Sequence, residues 1–148
     1  MKQIRFVMVS IIILVDILFS SCKRNPVQPA VSERMQLLTT GQWKMAAYKI
    51  DNDNDGLFET DSYISLPLCV KDNYTIYKKD GIFEWYEGIV VCDPAFPGVV
   101  LGDWRFANNE QEIWLNGGPW QIAELNSSVF RIKGTLSING NTETTYIK

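Results

Sequence analysis

Beyond Gly41 the chain is a succession of short apolar stretches rich in β-branched and aromatic residues, separated by polar clusters about ten residues apart. That pattern predicts strands over residues 43–50, 62–67, 73–78, 82–91, 102–107, 112–115, 120–125, 129–136 and 142–147. The reversals between them carry their own signals. Asp80-Gly81, Asn116-Gly117-Gly118 and Asn139-Gly140-Asn141 hold residues that tolerate positive φ, and Asn126-Ser127-Ser128 is a polar turn. No helical period intervenes, so consecutive strands are expected to pair antiparallel. Short hairpins favour a meander that closes on itself over a sandwich with long crossings, and the expected fold is an all-β, up-and-down antiparallel barrel of about eight strands.

Ahead of this region the pattern differs. Ser32 is placed to cap one short N-terminal helix running through Leu38, with Met35 and Leu38 on one face and Gly41 after its end. Residues 23–31, Lys-Arg-Asn-Pro-Val-Gln-Pro-Ala-Val, have no apolar period and read as a flexible tether. Residues 1–21 begin with Lys2 and Arg5, continue as an apolar run from Phe6 to Phe19 broken by Asp16, and end in Ser20 and Ser21. The run is short for a membrane span, and its three-part layout is that of a secretory signal peptide.

Leu18-Phe19-Ser20-Ser21-Cys22 resembles a relaxed bacterial lipobox. That resemblance implies cleavage before Cys22 and its diacylation; the alternative is an ordinary signal peptide with an incidental cysteine. The expected organisation is a signal peptide over 1–21, a lipid-anchored tether over 22–36 and a barrel domain over 37–148. The expected location is the bacterial cell envelope, with the chain lipid-anchored and periplasm-facing or on the outer membrane, and the membrane as its first partner.

Cleavage changes the charge as well. Of 14 basic and 17 acidic residues it removes Lys2, Arg5 and Asp16, leaving 12 and 16 and a net charge of −4. An acidic domain lacks the basic face that a phosphate backbone demands, so no nucleic-acid partner is expected. With Cys22 given to lipid, Cys69 and Cys92 remain as an even pair in an oxidising compartment, expected to be bridged, with two buried free thiols as the alternative.

Gly41-Gln42-Trp43 at the first strand looks like the Gly-x-Trp start of lipocalins. With Gly102-Asp103-Trp104, the paired cysteines, the acidic loop and the late Glu124-Leu125, the layout resembles the lipocalin-like lipoproteins of Bacteroidetes. The resemblance implies a lipocalin- or calycin-like barrel and leaves the activity open.

Histidine is absent, which removes the usual general base at neutral pH, the usual zinc ligand and every Ser-His or Cys-His pairing. Glu84 and Glu87 flank Trp85-Tyr86, but residues three apart on a strand point to opposite faces, so a two-carboxylate site is not expected. The chain is therefore expected not to be an enzyme, with no catalytic residue.

Residues 51–61 read Asp-Asn-Asp-Asn-Asp-Gly-Leu-Phe-Glu-Thr-Asp. Alternating carboxylates with glycine sixth are arranged as in the first half of an EF-hand loop, which gathers oxygens around a hard cation. The expected calcium ligands are Asp51, Asp53, Asp55, the Leu57 carbonyl and Asp61. Glu59 sits ninth, and Ser62 stands where an EF-hand closes with glutamate. The alternative is a solvated acidic turn without an ion. Trp43, Tyr48, Phe83, Trp85, Trp104, Phe106, Trp114, Trp120 and Phe130 are expected to fill the barrel or line it. The expected function is a binding module for a small apolar ligand, whose contact residues the sequence does not mark. The alternative is a filled barrel that docks an envelope protein or glycan.

Overall fold

The computed structural model describes residues 31–95, 98–136 and 140–148. The segment 1–30, with the signal, the lipobox and Cys22, lies outside the described residues. Val31–Lys148 forms one compact unit. It holds α1 (Glu33–Thr39), β1 (Trp43–Asp51), β2 (Thr60–Asp61), α2 (Leu68–Lys71), β3 (Tyr74–Tyr77), β4 (Ile82–Tyr86), β5 (Val99–Ala107), β6 (Glu112–Leu115), β7 (Gly118–Leu125), β8 (Val129–Leu136) and β9 (Gly140–Ile147). The tether boundary expected at residue 36 falls inside α1.

All pairings are antiparallel, in the order β2-β1-β3-β4-β5-β6-β7-β8-β9, and β9 returns to β1 from Asn141 opposite Asp51 to Ile147 opposite Lys44. The expected closed barrel of eight strands is present, with β2 appended to β1 at Lys49 and Ile50. Asn116 and Gly117 both have positive φ, 48° and 81°, as the two-residue turn joining β6 to β7 requires.

The helix closes one opening. The Ser32 hydroxyl accepts the Met35 N–H at 3.0 Å and starts it, and Leu38 is fully buried. Its last carbonyls are also satisfied: the Trp43 indole N–H donates to Leu38 O at 2.8 Å and Lys148 Nζ to Leu37 O at 3.0 Å. The helix contacts β3 and β7, which stand on opposite walls of the ring.

Two expected strands are corrected. Residues 62–67 form turns leading into α2, because Tyr48 O accepts both Ser62 N–H and Tyr63 N–H and Asp61 Oδ1 also takes the Tyr63 N–H. The strand expected over 82–91 stops at Tyr86. Beyond it, Gly88 N–H donates to Asn73 Oδ1 at 2.9 Å and Val90 N–H to Asp72 Oδ2 at 2.8 Å, so side chains take donors that a neighbouring strand would have used.

The interior is built of rings. Tyr77 meets the edge of Trp104 at 5.6 Å and of Phe130 at 5.9 Å, and Phe130 in turn packs on Trp43 at 5.7 Å and Tyr146 at 5.7 Å. Ile113, Ile122 and Ile132 complete the buried cluster. The Trp104 indole N–H donates to Lys78 O at 2.9 Å, so a ring that fills the core also fixes the β3–β4 turn. Among the described residues, a pocket of about 70 Å³ lies between Trp43, Val70, Asn73, Trp85 and Tyr146. That is room for a water or two, not for an apolar ligand.

Gly134 shows how tightly the wall is packed, because a Cβ there would overlap the Trp120 ring. Gly134→Ala is expected to cost roughly 1–3 kcal/mol in urea unfolding, the usual range for overpacking. Trp120→Leu in the same chain is expected to return part of that loss. A G134A protein as stable as the parent would show that the ring has room to move.

Candidate functional site: the acidic loop and the groove beside it

β1 ends at Asp51, and eight residues, Asn52 through Glu59, lead from it to β2. Asn54 and Gly56 take φ of 62° and 92°, the left-handed conformation that Asn and Gly adopt at least cost. Asp51 is fully buried although it is an acid. Its Oδ1 accepts the Asp55 N–H at 3.2 Å, and its Oδ2 accepts the Gly56 N–H at 3.0 Å and Asn141 Nδ2–H at 3.4 Å. Burial pushes its pKa up, but N–H donors from Gly56, Asn141, Asn54 and Asp55 outweigh this and hold it below the ordinary carboxylate value.

The fold brings Asp51, Asp53, Asp55 and Glu59 together, with one carboxylate oxygen of each within 4.8 Å of the others. Asp51 is enclosed and the other three are exposed. Of the ligands expected from the sequence, Asp61 is placed elsewhere: it lies on β2 opposite Lys49, and its Oδ1 accepts the Tyr63 N–H at 3.1 Å. Leu57 donates its N–H to Asp55 Oδ1 at 2.8 Å, and its side chain is exposed. Glu59 fills the place that Asp61 was expected to take. Its ninth position in the loop was the available signal, since the chain reverses after Gly56 and carries residue 59 back over the first three carboxylates.

Four carboxylates so close repel one another when ionised, and a hard divalent cation relieves that repulsion. Without an ion, the loop's own N–H groups supply part of the compensation: the Asp55 N–H also reaches Asp53 Oδ1 at 3.3 Å.

An open groove of about 550 Å³ begins at this loop, lined among others by Asp51, Phe58, Trp120, Gln121, Lys133 and Asn141. Gln121 is opposite Lys133 in the β7–β8 register, on the face away from the neighbouring buried pair Ile122 and Ile132, so this stretch of the groove runs along the outside of the barrel. Lys133 Nζ sits 4.9 Å from the centre of the Phe58 ring and 3.4 Å from Glu143 Oε2, which ties the loop to the wall.

Cys69 on α2 and Cys92 in the β4–β5 connection stand at disulfide distance, with Cα atoms 5.2 Å apart and a sequence separation of 23. A bridge closing such a loop is worth roughly 3 kcal/mol on the chain-entropy account. Glu84 and Glu87 do not share a site. Glu84 Oε2 is 3.0 Å from Lys78 Nζ and accepts the Tyr86 hydroxyl at 2.9 Å, and Glu87 Oε1 accepts the Cys92 N–H at 3.1 Å. The hydrogen bond from Lys78, then that from Tyr86, holds the Glu84 pKa down.

No family model matches the chain, and no curated protein matches it. Among solved structures, a DUF4847 family protein from Bacteroides vulgatus ATCC 8482 is similar at a TM-score of 0.50 and 12% identity, over 76% of this chain and 94% of that one. At that identity the likeness shows the fold alone: this chain is a barrel of the kind found in that Bacteroides protein.

The depressed Asp51 pKa fixes a pH dependence. A carboxylate with a lower pKa folded than unfolded contributes stability above its unfolded value, about 3.9, and loses it as pH falls through the folded value. Melting temperatures recorded from pH 7 down to pH 2.5 are expected to fall steeply below about pH 4 in the parent and less steeply in Asp51→Asn, which starts lower at pH 7. Equal acid limbs in the two proteins would remove Asp51 from this role.

Proposed function

We propose that the chain is a non-enzymatic, lipid-anchored interaction module of the bacterial cell envelope, a filled barrel that docks a protein or glycan partner instead of enclosing a small apolar ligand. The observation that carries this reading is the occupied interior, where Tyr77, Trp104, Phe130, Trp43 and Tyr146 pack ring against ring. A groove of about 550 Å³ begins at the acidic loop, and its lining includes Gln121 and Lys133 on the outer face of the barrel. The anchor rests on Cys22 and the lipobox-like residues before it. A chain without histidine, whose Glu84 and Glu87 are engaged elsewhere, supports binding over catalysis.

Native mass spectrometry of protein extracted from membranes in mild detergent is expected to show an acylated chain with no retained small molecule, and Cys22→Ser is expected to move the protein to the soluble fraction. A stoichiometric apolar ligand in the spectrum would restore the carrier reading. Membrane retention of C22S would remove the anchor.

The same reading gives the acidic loop a calcium-binding, stabilising role, with Asp51, Asp53, Asp55 and Glu59 as the side-chain ligands and weak extracellular-type affinity, about 10⁻⁴ to 10⁻³ M. Ten millimolar calcium is then expected to raise the melting temperature of the parent, while Asp53→Asn with Asp55→Asn abolishes the response and leaves the calcium-free melting temperature unchanged or higher. Magnesium is expected to substitute poorly. Equal responses in parent and double mutant would leave an acidic turn held by its own backbone.

A further inference from the structure

β5 is nine residues long, and its two neighbours use different parts of it. β4 pairs with Val99 through Asp103, whereas β6 pairs only with Trp104 through Ala107. The first part of β5 therefore has one occupied side and one side past the end of β6.

Which backbone groups face that side follows from the bonds around them. Trp104 N–H donates toward β4, to Gly81 O at 2.7 Å. Asp103 faces the other way: its N–H donates to Asn116 Oδ1 at 3.1 Å and its carbonyl accepts the Asn116 N–H at 3.0 Å. In an antiparallel ladder alternate residues face alternate sides. Leu101 and Val99 thus present N–H and C=O on the side of Asp103, where no described residue pairs with them. Both faces of the strand are open as well, with Leu101 65% and Val100 42% exposed.

This edge is held, not frayed. The connection from β4 to β5 is pinned by the Gly88 and Val90 N–H groups on Asn73 and Asp72, and Cys92 stands at disulfide distance from Cys69. A Cβ at Gly88 would overlap Asp72, so only glycine fits that crossing. The same connection keeps Ile89 98% exposed, with Val90 and Val91 beside it. Exposed edges are ordinarily protected by lysine or proline within the strand or by an inward charge. Gly98-Val99-Val100-Leu101-Gly102 has none of these.

We propose that this edge of β5 pairs with the same edge of a second copy of the chain, antiparallel about a two-fold axis through Val100. In that arrangement Val99 of each copy faces Leu101 of the other, each pair exchanging two backbone hydrogen bonds, about four in all. Val99 and Leu101 share one face of the strand, so the cross-strand neighbours are apolar on apolar. Val100 faces itself in a pair without hydrogen bonds, where Cα atoms approach to about 4.5 Å. Within the paired segment, charge does not oppose a second copy. Asp103, the first charged residue after the edge, is carried to opposite ends of the paired segment, about 20 Å from its counterpart by strand geometry, so no like charges oppose. The pairing depends on the strand register and not on the anchor, so it stands or falls separately from the fate of Cys22.

The test uses the full chain in a Cys22→Ser background. Val100→Cys is expected to form a covalent dimer under mild oxidation, mapped by mass spectrometry to position 100 of both copies, because a 4.5 Å Cα separation lies within disulfide reach. Ile82→Cys, exposed at the far end of β4, is expected to cross-link at least tenfold less. Sedimentation equilibrium of the protein without an added cysteine is expected to give twice the chain mass at tens of micromolar. Leu101→Lys is expected to give the single mass with an unchanged circular dichroism spectrum. Should the lysine variant fail to fold, the cross-linking comparison decides alone. A single-chain mass at every concentration, or equal cross-linking from positions 82 and 100, overturns the proposal. Capture of a foreign extended peptide by a protein that stays monomeric also overturns it.

Discussion

Tyr77 stands where the barrel is held together. Its ring touches Phe83, Trp104 and Phe130, which belong to β4, β5 and β8, so one side chain links three parts of the wall that sequence keeps far apart. Burial and the neighbouring Tyr146 push its phenol well above the ordinary value, and burial pushes Tyr146 up to about 12. Both hydroxyls therefore stay neutral throughout the physiological range, and the rings meet edge to face with no charge to desolvate. Through Phe130 the contact reaches Trp43, whose indole holds the end of α1. The end of α1 and the far wall thus depend on the same cluster of rings.

The wall accommodates such rings by giving way at particular points. A Cβ at Gly134 would overlap Trp120, and one at Gly102 would overlap Phe83. Each pair joins a large ring to a missing side chain on a paired strand, Phe83 opposite Gly102 in the β4–β5 register and Trp120 near Gly134 across β7 and β8. Packing at native density explains why these glycines sit inside strands, where their conformational freedom otherwise costs stability.

Much of this architecture is legible in the order of residues. Asn116-Gly117, Asp80-Gly81 and the alternation of Phe130 and Ile132 with Arg131 and Lys133 along β8 specify local hairpins, and a meander of local hairpins has few ways to close. The errors fall where acceptors outside the expected ladder, main-chain or side-chain, take the backbone N–H groups. Residues 62–67 look extended by composition, but Tyr48 O captures two N–H groups and draws the chain into turns. Ile89, Val90 and Val91 read as the end of a strand, and they are held out of it by Asp72 and Asn73, nearly twenty positions away. Those contacts have no local signature. The acidic loop was visible by spacing, but whether Glu59 or Asp61 closes it depends on where β2 pairs with β1, which is a tertiary fact. The groove was invisible for a stronger reason: Phe58 and Lys133 meet only because β1 and β8 are both neighbours of β9.

Closing a barrel staggers its strands, and stagger leaves long strands overhanging short neighbours. β1 and β5, each of nine residues, meet this constraint and are treated differently. β1 pairs with β3 only at Trp43 and Lys44; farther along, β2 covers Lys49 and Ile50, and the Tyr48 carbonyl accepts the N–H groups of Ser62 and Tyr63. The chain thus returns to cover that overhang with the segment that also carries the acidic loop. β5 overhangs β6 by a comparable length, and there the chain spends its loop residues on pinning the β4–β5 connection to Asp72 and Asn73. Among the described residues no strand covers this second overhang, and an edge held in place before pairing would have little conformational entropy left to lose.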